Sequence, residues 1–225
     1  MKFDKLFLNL FLVAAIIHLY AVASLMFQAE MITKYLMMPM LILHVVFNAQ
    51  KKISNVLLLL LALLFCWFGD IFLMYTADND NYFLFGLAAF LVAHLFYIFT
   101  FRKFRYADQK TNFKIGYAIP VLIYSGGLMA YLIPHLGDML VPVIAYAIVI
   151  SIMVIAALMR MGKTTSYSFS FVLYGAILFV ISDSIIAVNK FTSPITNASL
   201  FIMVTYIMAQ YLIVNGCLLH LKEED

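Results

Sequence analysis

Apolar residues in this chain come in long blocks rather than at any short period. Eight blocks stand out, each near the roughly 20 residues that cross a bilayer as a helix. They are Leu6–Phe27, Ile32–Phe47, Asn55–Tyr75, Tyr82–Phe101, Ile115–Leu132, Leu140–Met159, Ser168–Val188 and Ile195–Leu219. The second is the shortest, which predicts a helix that is little tilted or begins earlier. No alternating pattern of about ten residues, the mark of a membrane strand, is present. The blocks predict an all-α integral membrane fold of eight transmembrane helices, a single transmembrane domain over residues 1–225. The loops are short, and the longest polar stretch, Arg102–Lys114, is too short to fold alone. A receptor, scaffold or nucleic-acid role would need an exposed surface that these loops do not offer.

Composition agrees. Hydrophobic residues make up 66% of the chain and charged residues 11%, with a mean hydropathy of +1.03. Soluble domains lie near 45–50% and about 25%. Positive charge then predicts orientation, because Lys and Arg concentrate in cytoplasmic loops. With the N-terminus inside, Lys2, Lys5, Lys51, Lys52, Arg102, Lys103, Arg105, Lys110, Lys114, Arg160, Lys163 and Lys222 fall on the inner side. Lys34 and Lys190 alone of the 14 basic residues fall outside. Both termini are expected inside, in a multi-pass protein of the cell (inner) membrane. Lys2 and Lys5 ahead of an apolar run ending in Ala21-Val22-Ala23 resemble a signal peptide, but the run is long for one and reads as the first helix. Cys66 and Cys217, the only cysteines, sit in apolar blocks as small apolar residues.

Two residues interrupt the pattern. Asp70 lies in the apolar stretch Val56–Met74 and Asp183 in Phe169–Val188. An acidic group in the bilayer core costs about 2.5–3.5 kcal/mol on insertion scales, so both are expected to face inward. The third and seventh helices run in the same direction, and each Asp lies about six residues before its outer end, roughly 9 Å deep. Two carboxyls at one depth could meet across a bundle core. In a shared low-dielectric site they seldom both ionise, which suits acid–base work. The alternative is two Asp separately hydrogen-bonded to neighbouring helices. Pro39 and Pro142, the two Asp, and the pairs Ala93-His94 and Ala209-Gln210 recur in the same order in each half. This is the pattern of two parallel four-helix repeats. Gly86, Phe90, His94 and Tyr97 form one stripe of the fourth helix, and Tyr206, Gln210 and Ile213 one stripe of the eighth. His94 reads either as a site residue or as an interhelical hydrogen bond. His18, His44 and His94 lack metal-ligand spacing, and no Gly-x-Ser-x-Gly elbow is present. No metal is expected.

These residues resemble the signatures of the YhhN family, lysoplasmalogenase-type membrane proteins. The resemblance is carried by Gly69-Asp70-Ile71-Phe72-Leu73-Met74. Further matches are Phe85-Gly86 through Ala89-Phe90, Ala93-His94 and Tyr97, and Pro142-Val143 with Tyr146. Ser182-Asp183-Ser184 followed by Ala187, Asn189, Lys190 and Phe191, and Tyr206 with Ala209-Gln210, complete the set. Lys34 followed by Pro39 resembles the second-helix motif, although Tyr35 stands where a proline is common. The resemblance implies hydrolysis of the vinyl ether bond of a lysophospholipid substrate, giving a fatty aldehyde and a glycerophospho-base. Members need not all share that activity.

The chemistry fits the residues. An enol ether is protonated at its β-carbon, water adds to the oxocarbenium ion, and the hemiacetal collapses to aldehyde and alcohol. One Asp would supply the proton. The other, as a carboxylate, would stabilise the cation and take a proton from water, as in glycosidases. No metal or organic cofactor is required. Lys34 and Lys190 are placed to meet the lipid phosphate, or are snorkelling lysines at helix ends. Asn189, Tyr206, Gln210, His94 and Tyr97 complete the expected substrate-binding set. The rival classes are a proton- or cation-coupled transporter and a lipid-binding or scrambling protein using the same Asp pair.

Overall fold

A computed structural model of the chain describes residues 3–49 and 53–223. Lys2, Lys51 and Lys52, counted above for orientation, lie outside the described residues. Within them the chain is helical, without strands, and eight helical segments are long and apolar enough to cross a membrane. The reason is general. Hydrocarbon offers no hydrogen bonds, so a spanning segment must satisfy its own backbone. The helices are α1 (Phe3–Ala23), α2 (Phe27–Ala49), α3 (Ile53–Met74), α4 (Asn81–Lys103), α5 (Ile119–Leu132), α6 (Leu140–Leu158), α7 (Ser166–Phe191) and α8 (Ala198–Glu223).

Two boundaries differ from the sequence reading. The first apolar block does not run to Phe27. It breaks at Leu25, which adopts φ 57°. Met26 N–H donates to Ala21 O at 2.8 Å and Leu25 N–H to Val22 O at 3.3 Å. This is a Schellman turn with leucine where glycine is usual, so no turn residue announces it. Residues 27–31 join α2, which accounts for the short second block. The fifth block is composite. A fourteen-residue α5 spans only about 21 Å, and 3₁₀ turns at Ile115–Ala118 and Ile133–His135 extend it. Pro120 and Pro134 lie at these junctions, where a missing N–H costs least.

The chain forms two compact units, residues 1–97 and 98–225, divided within α4. In the first, α2 packs on α1 and α3. Pro39 inside α2 cannot donate to the carbonyl of Tyr35. In lipid that oxygen would be costly to leave alone. Trp67 of α3, the one tryptophan of the chain, donates its indole N–H to it at 3.1 Å. His18 Nδ1 lies 2.8 Å from Thr33 Oγ1, whose own proton goes to Ala29 O at 2.7 Å. His18 is therefore the donor and ties α1 to α2.

In the second unit α7 and α8 share the most extensive interface, with α6 against α7 and α5 against α6. Gly175 lets α7 approach α8, since a Cβ there would lie 2.9 Å from Ala209 O and 2.7 Å from Ile213 Cγ1. Arg160, read from the sequence as an inner surface charge, is fully buried. Its guanidinium donates to Phe104 O, Ser168 O and Ser168 Oγ at 3.1, 3.2 and 2.8 Å, and Ser168 Oγ donates to Gly216 O at 2.6 Å. It knits the end of α4, the start of α7 and α8 together. Tyr106 N–H to Lys163 O and Asn112 N–H to Met161 O anchor the polar stretch after α4 on the α6–α7 turn.

Candidate active site

Each intramembrane carboxyl has a setting built by its own unit. Asp70 is 5% exposed on α3. Beside it Gly69 lies so close to α4 that a Cβ would meet the Phe90 ring at 2.6 Å. Gly86 faces back, with Leu73 2.8 Å from where its Cβ would be. The two glycines and a stacked Phe65–Phe96 pair, centroids 5.6 Å apart, hold α3 against α4. His94 and Tyr97, predicted as site residues on α4, are fully buried there. Lys34 of α2 pairs with Glu30 of the same helix at 3.9 Å, so its charge is matched within one turn. Tyr35 Oη and Tyr75 Oη are 2.6 Å apart and join α2 to the C-terminal end of α3.

Asp183 lies half-buried on α7. Tyr146 of α6 donates its hydroxyl to Asp183 Oδ2. The next residue, Ser184, receives a hydrogen bond from Tyr124 of α5 at 2.9 Å and donates to Val180 O at 2.7 Å. Three helices thus bring hydroxyls to the wall of one cavity, and one of them, Tyr146, bonds the carboxylate. Asp183, Tyr146, Tyr124, Ser184 and Ser125 line a cavity of about 50 Å³, walled elsewhere by apolar side chains such as Val143, Val180 and Leu128. A water needs on the order of 10–15 Å³ on this measure, so a few waters or a small polar group fit beside the carboxylate.

The remaining predicted residues fall in the second unit. Tyr206 and Gln210 are buried on α8, and Tyr206 meets Phe179 of α7 edge to face at 5.4 Å. Asn189 is exposed, and its Oδ1 accepts from Ile195 N–H at 2.8 Å, which stitches the α7–α8 turn. Lys190 is exposed one residue before the end of α7. Sequence reasoning quoted Tyr146 and Ser184 within motifs but did not assign them to the site, and it missed Tyr124. Tyr146 had a usable signal, a phenol six residues into a block of aliphatics. Tyr124 had none, for nothing in the spacing pairs it with Ser184, sixty residues on. Among the described residues no three His, Cys, Asp or Glu side chains converge as metal ligands.

Residues 29–217 match the sequence profile of the YhhN family. The chain belongs to that family. It is 32% identical over 129 residues to human lysoplasmalogenase TMEM86B, covering 57% of this chain and 50% of that protein. It is 30% identical over 136 residues to a lysoplasmalogenase of Mycobacterium bovis, covering 60% and 50%. It is 31% identical over 155 residues to bovine lysoplasmalogenase TMEM86A, covering 67% and 61%. The chain spans about half the length of the curated relatives it matches first. No solved structure matches it.

Proposed function

We propose that this YhhN-family chain hydrolyses the vinyl ether bond of lysoplasmalogens within the membrane. The observation that carries the reading is the Asp183 carboxylate, held by the Tyr146 hydroxyl and facing a small cavity inside a spanning bundle. The names of its relatives supply the substrate class. Glycosidases, which also pass through an oxocarbenium-like state, use two carboxyl groups in the same parts.

Asp183 takes the acceptor's part. A carboxylate that accepts from Tyr146 stabilises positive charge and receives a proton from water. Donation then falls to Asp70, buried on α3. In the forward step the acid forms a C–H bond at the β-carbon while the π bond breaks, leaving the cation on the C–O unit. Water adds to that carbon and gives its proton to Asp183. As the hemiacetal breaks its bond to the glycerol oxygen, Asp183 gives its proton to that oxygen and Asp70 takes the proton of the hemiacetal hydroxyl, releasing alcohol and aldehyde. Each carboxyl then returns to its starting state without a cofactor. Lys190, at the outer end of α7, would meet the phosphate.

The test is aldehyde release by the purified protein given a lysoplasmalogen. Asp70→Asn and Asp183→Asn keep size and hydrogen bonding but cannot exchange a proton. Each is expected to lose at least about a hundredfold in kcat, the usual contribution of acid–base catalysis, while inserting and folding normally. A variant within about tenfold of wild type would remove that residue from the mechanism. Wild-type protein that releases no aldehyde would remove the reading.

A further inference from the structure

We propose that the groove between α5 and α6 seats the hydrocarbon chain of a single-chain lipid, whose polar end reaches the Asp183 cavity. The proposal rests on the hydrolase reading for the identity of that lipid.

The groove measures about 320 Å³ and is walled by Leu122, Gly126 and Met129 of α5 and by Ile144, Ile148 and Ile152 of α6. It opens sideways, where Leu122 is 57% and Ile148 54% exposed. Ser125, Met129 and Ala147 line both this groove and the Asp183 cavity, so the two spaces adjoin. The hydroxyls at the junction are already engaged. Ser151 donates to Ala147 O at 2.6 Å, which leaves Ser125 to donate to Ser151 Oγ at 2.8 Å. The groove therefore presents aliphatic surface and asks for an aliphatic occupant.

Its length fits one. From Ile144 to Ile155 the lining follows α6 for about 16 Å at helical rise, half of a hydrocarbon core about 30 Å thick. That is the depth one lipid chain occupies in its own leaflet. The long axis leads away from the Asp183 level toward the C-terminal end of α6. A chain lying there would present its head-proximal end, where a vinyl ether is found, to the carboxylate. Gly126 supplies the open floor, since a Cβ built on it meets nothing within 4 Å. A side chain placed there enters the groove without displacing the helix.

The experiment uses an ester-linked lysophosphatidylcholine, which has no vinyl ether to cleave, with a diazirine near the chain's methyl end. It is photolysed with the purified full chain in nanodiscs and the adducts are mapped by mass spectrometry. Adducts are expected on α5 and α6, competed by unlabelled lysophosphatidylcholine and reduced about tenfold in Gly126→Phe, which excludes several methylenes. The same variant should raise KM for a long-chain lysoplasmalogen about tenfold more than for a short-chain one. Adducts spread over all helices, or unchanged by Gly126→Phe, would overturn the proposal. So would a Gly126→Phe variant that loses a dimer while its labelling stays as in wild type, since the groove would then belong to a second copy. Specific labelling by a wild-type protein that releases no aldehyde would uphold the groove and remove only the hydrolase reading.

Discussion

Tyr146 decides what Asp183 can be. An intramembrane carboxylate tied only to its own helix would be a structural polar residue. One that accepts a phenol from a neighbouring helix, beside a cavity, is held in a fixed orientation toward whatever enters. Hydrogen bonds to charged groups contribute about 1.5–3 kcal/mol. If the carboxylate faces more positive charge in the transition state than in the ground state, losing the phenol slows the reaction. Tyr146→Phe keeps the buried ring and removes one oxygen. It is expected to lower kcat for aldehyde release by about 10- to 100-fold, with KM changed less than about threefold. A purely structural role would instead lower the melting temperature and leave turnover per folded molecule intact, and a melting curve beside the kinetics separates the two.

Helix existence was legible in the sequence because burial in lipid imposes one rule on every spanning segment. Helix ends and pairings were not legible for physical reasons that particular residues show. Leu25 takes a left-handed turn with no glycine or asparagine to mark it. By contrast Asn197, at φ 58° in the α7–α8 turn, is a residue that tolerates this conformation and sits in a polar stretch. Asp70 and Asp183 were found at once, since a charge among aliphatics is conspicuous. Their partners were not, because the pattern along one helix does not say which face of another it will meet. Arg160 shows the converse error. A basic residue between two apolar blocks reads as a surface charge, yet its five donors can serve three carbonyl and hydroxyl oxygens at once. The glycines differ in what surrounds them. Gly175→Leu would push side-chain atoms into Ala209 O and Ile213 of α8. Overpacking of this kind costs about 1–3 kcal/mol, which for a chain of this size corresponds to roughly 2–12 °C in melting temperature. Gly127→Leu on α5 meets nothing within 4 Å and is expected to melt as wild type does. Equal melting of the two variants in the same detergent would show that the α7–α8 approach is not tight.

For the whole molecule, orientation follows from where charge can rest. Arg160 leaves the count because it is buried, but the bias does not depend on it. Arg102 and Lys103 are exposed at the end of α4. The stretch holding Lys110 and Lys114 is pinned to the turn holding Lys163 by the Tyr106–Lys163 and Asn112–Met161 backbone bonds. One end of the second unit therefore gathers the basic residues of two loops, and translocating that many positive charges is what a membrane resists. The α3–α4 turn has the opposite character, with Asp78 and Asp80 exposed and no Lys or Arg between Lys52 and Arg102. We expect that turn outside and the stretch after α4 inside. Single cysteines can decide it, because native Cys66 and Cys217 are buried and give little background. Asp78→Cys should react with a membrane-impermeant maleimide in intact cells. Asp108→Cys should react only after permeabilisation. The reverse pattern would invert the protein, putting Asp183 and the mouth of its cavity in the inner half of the membrane and the lysolipid supply in the inner leaflet.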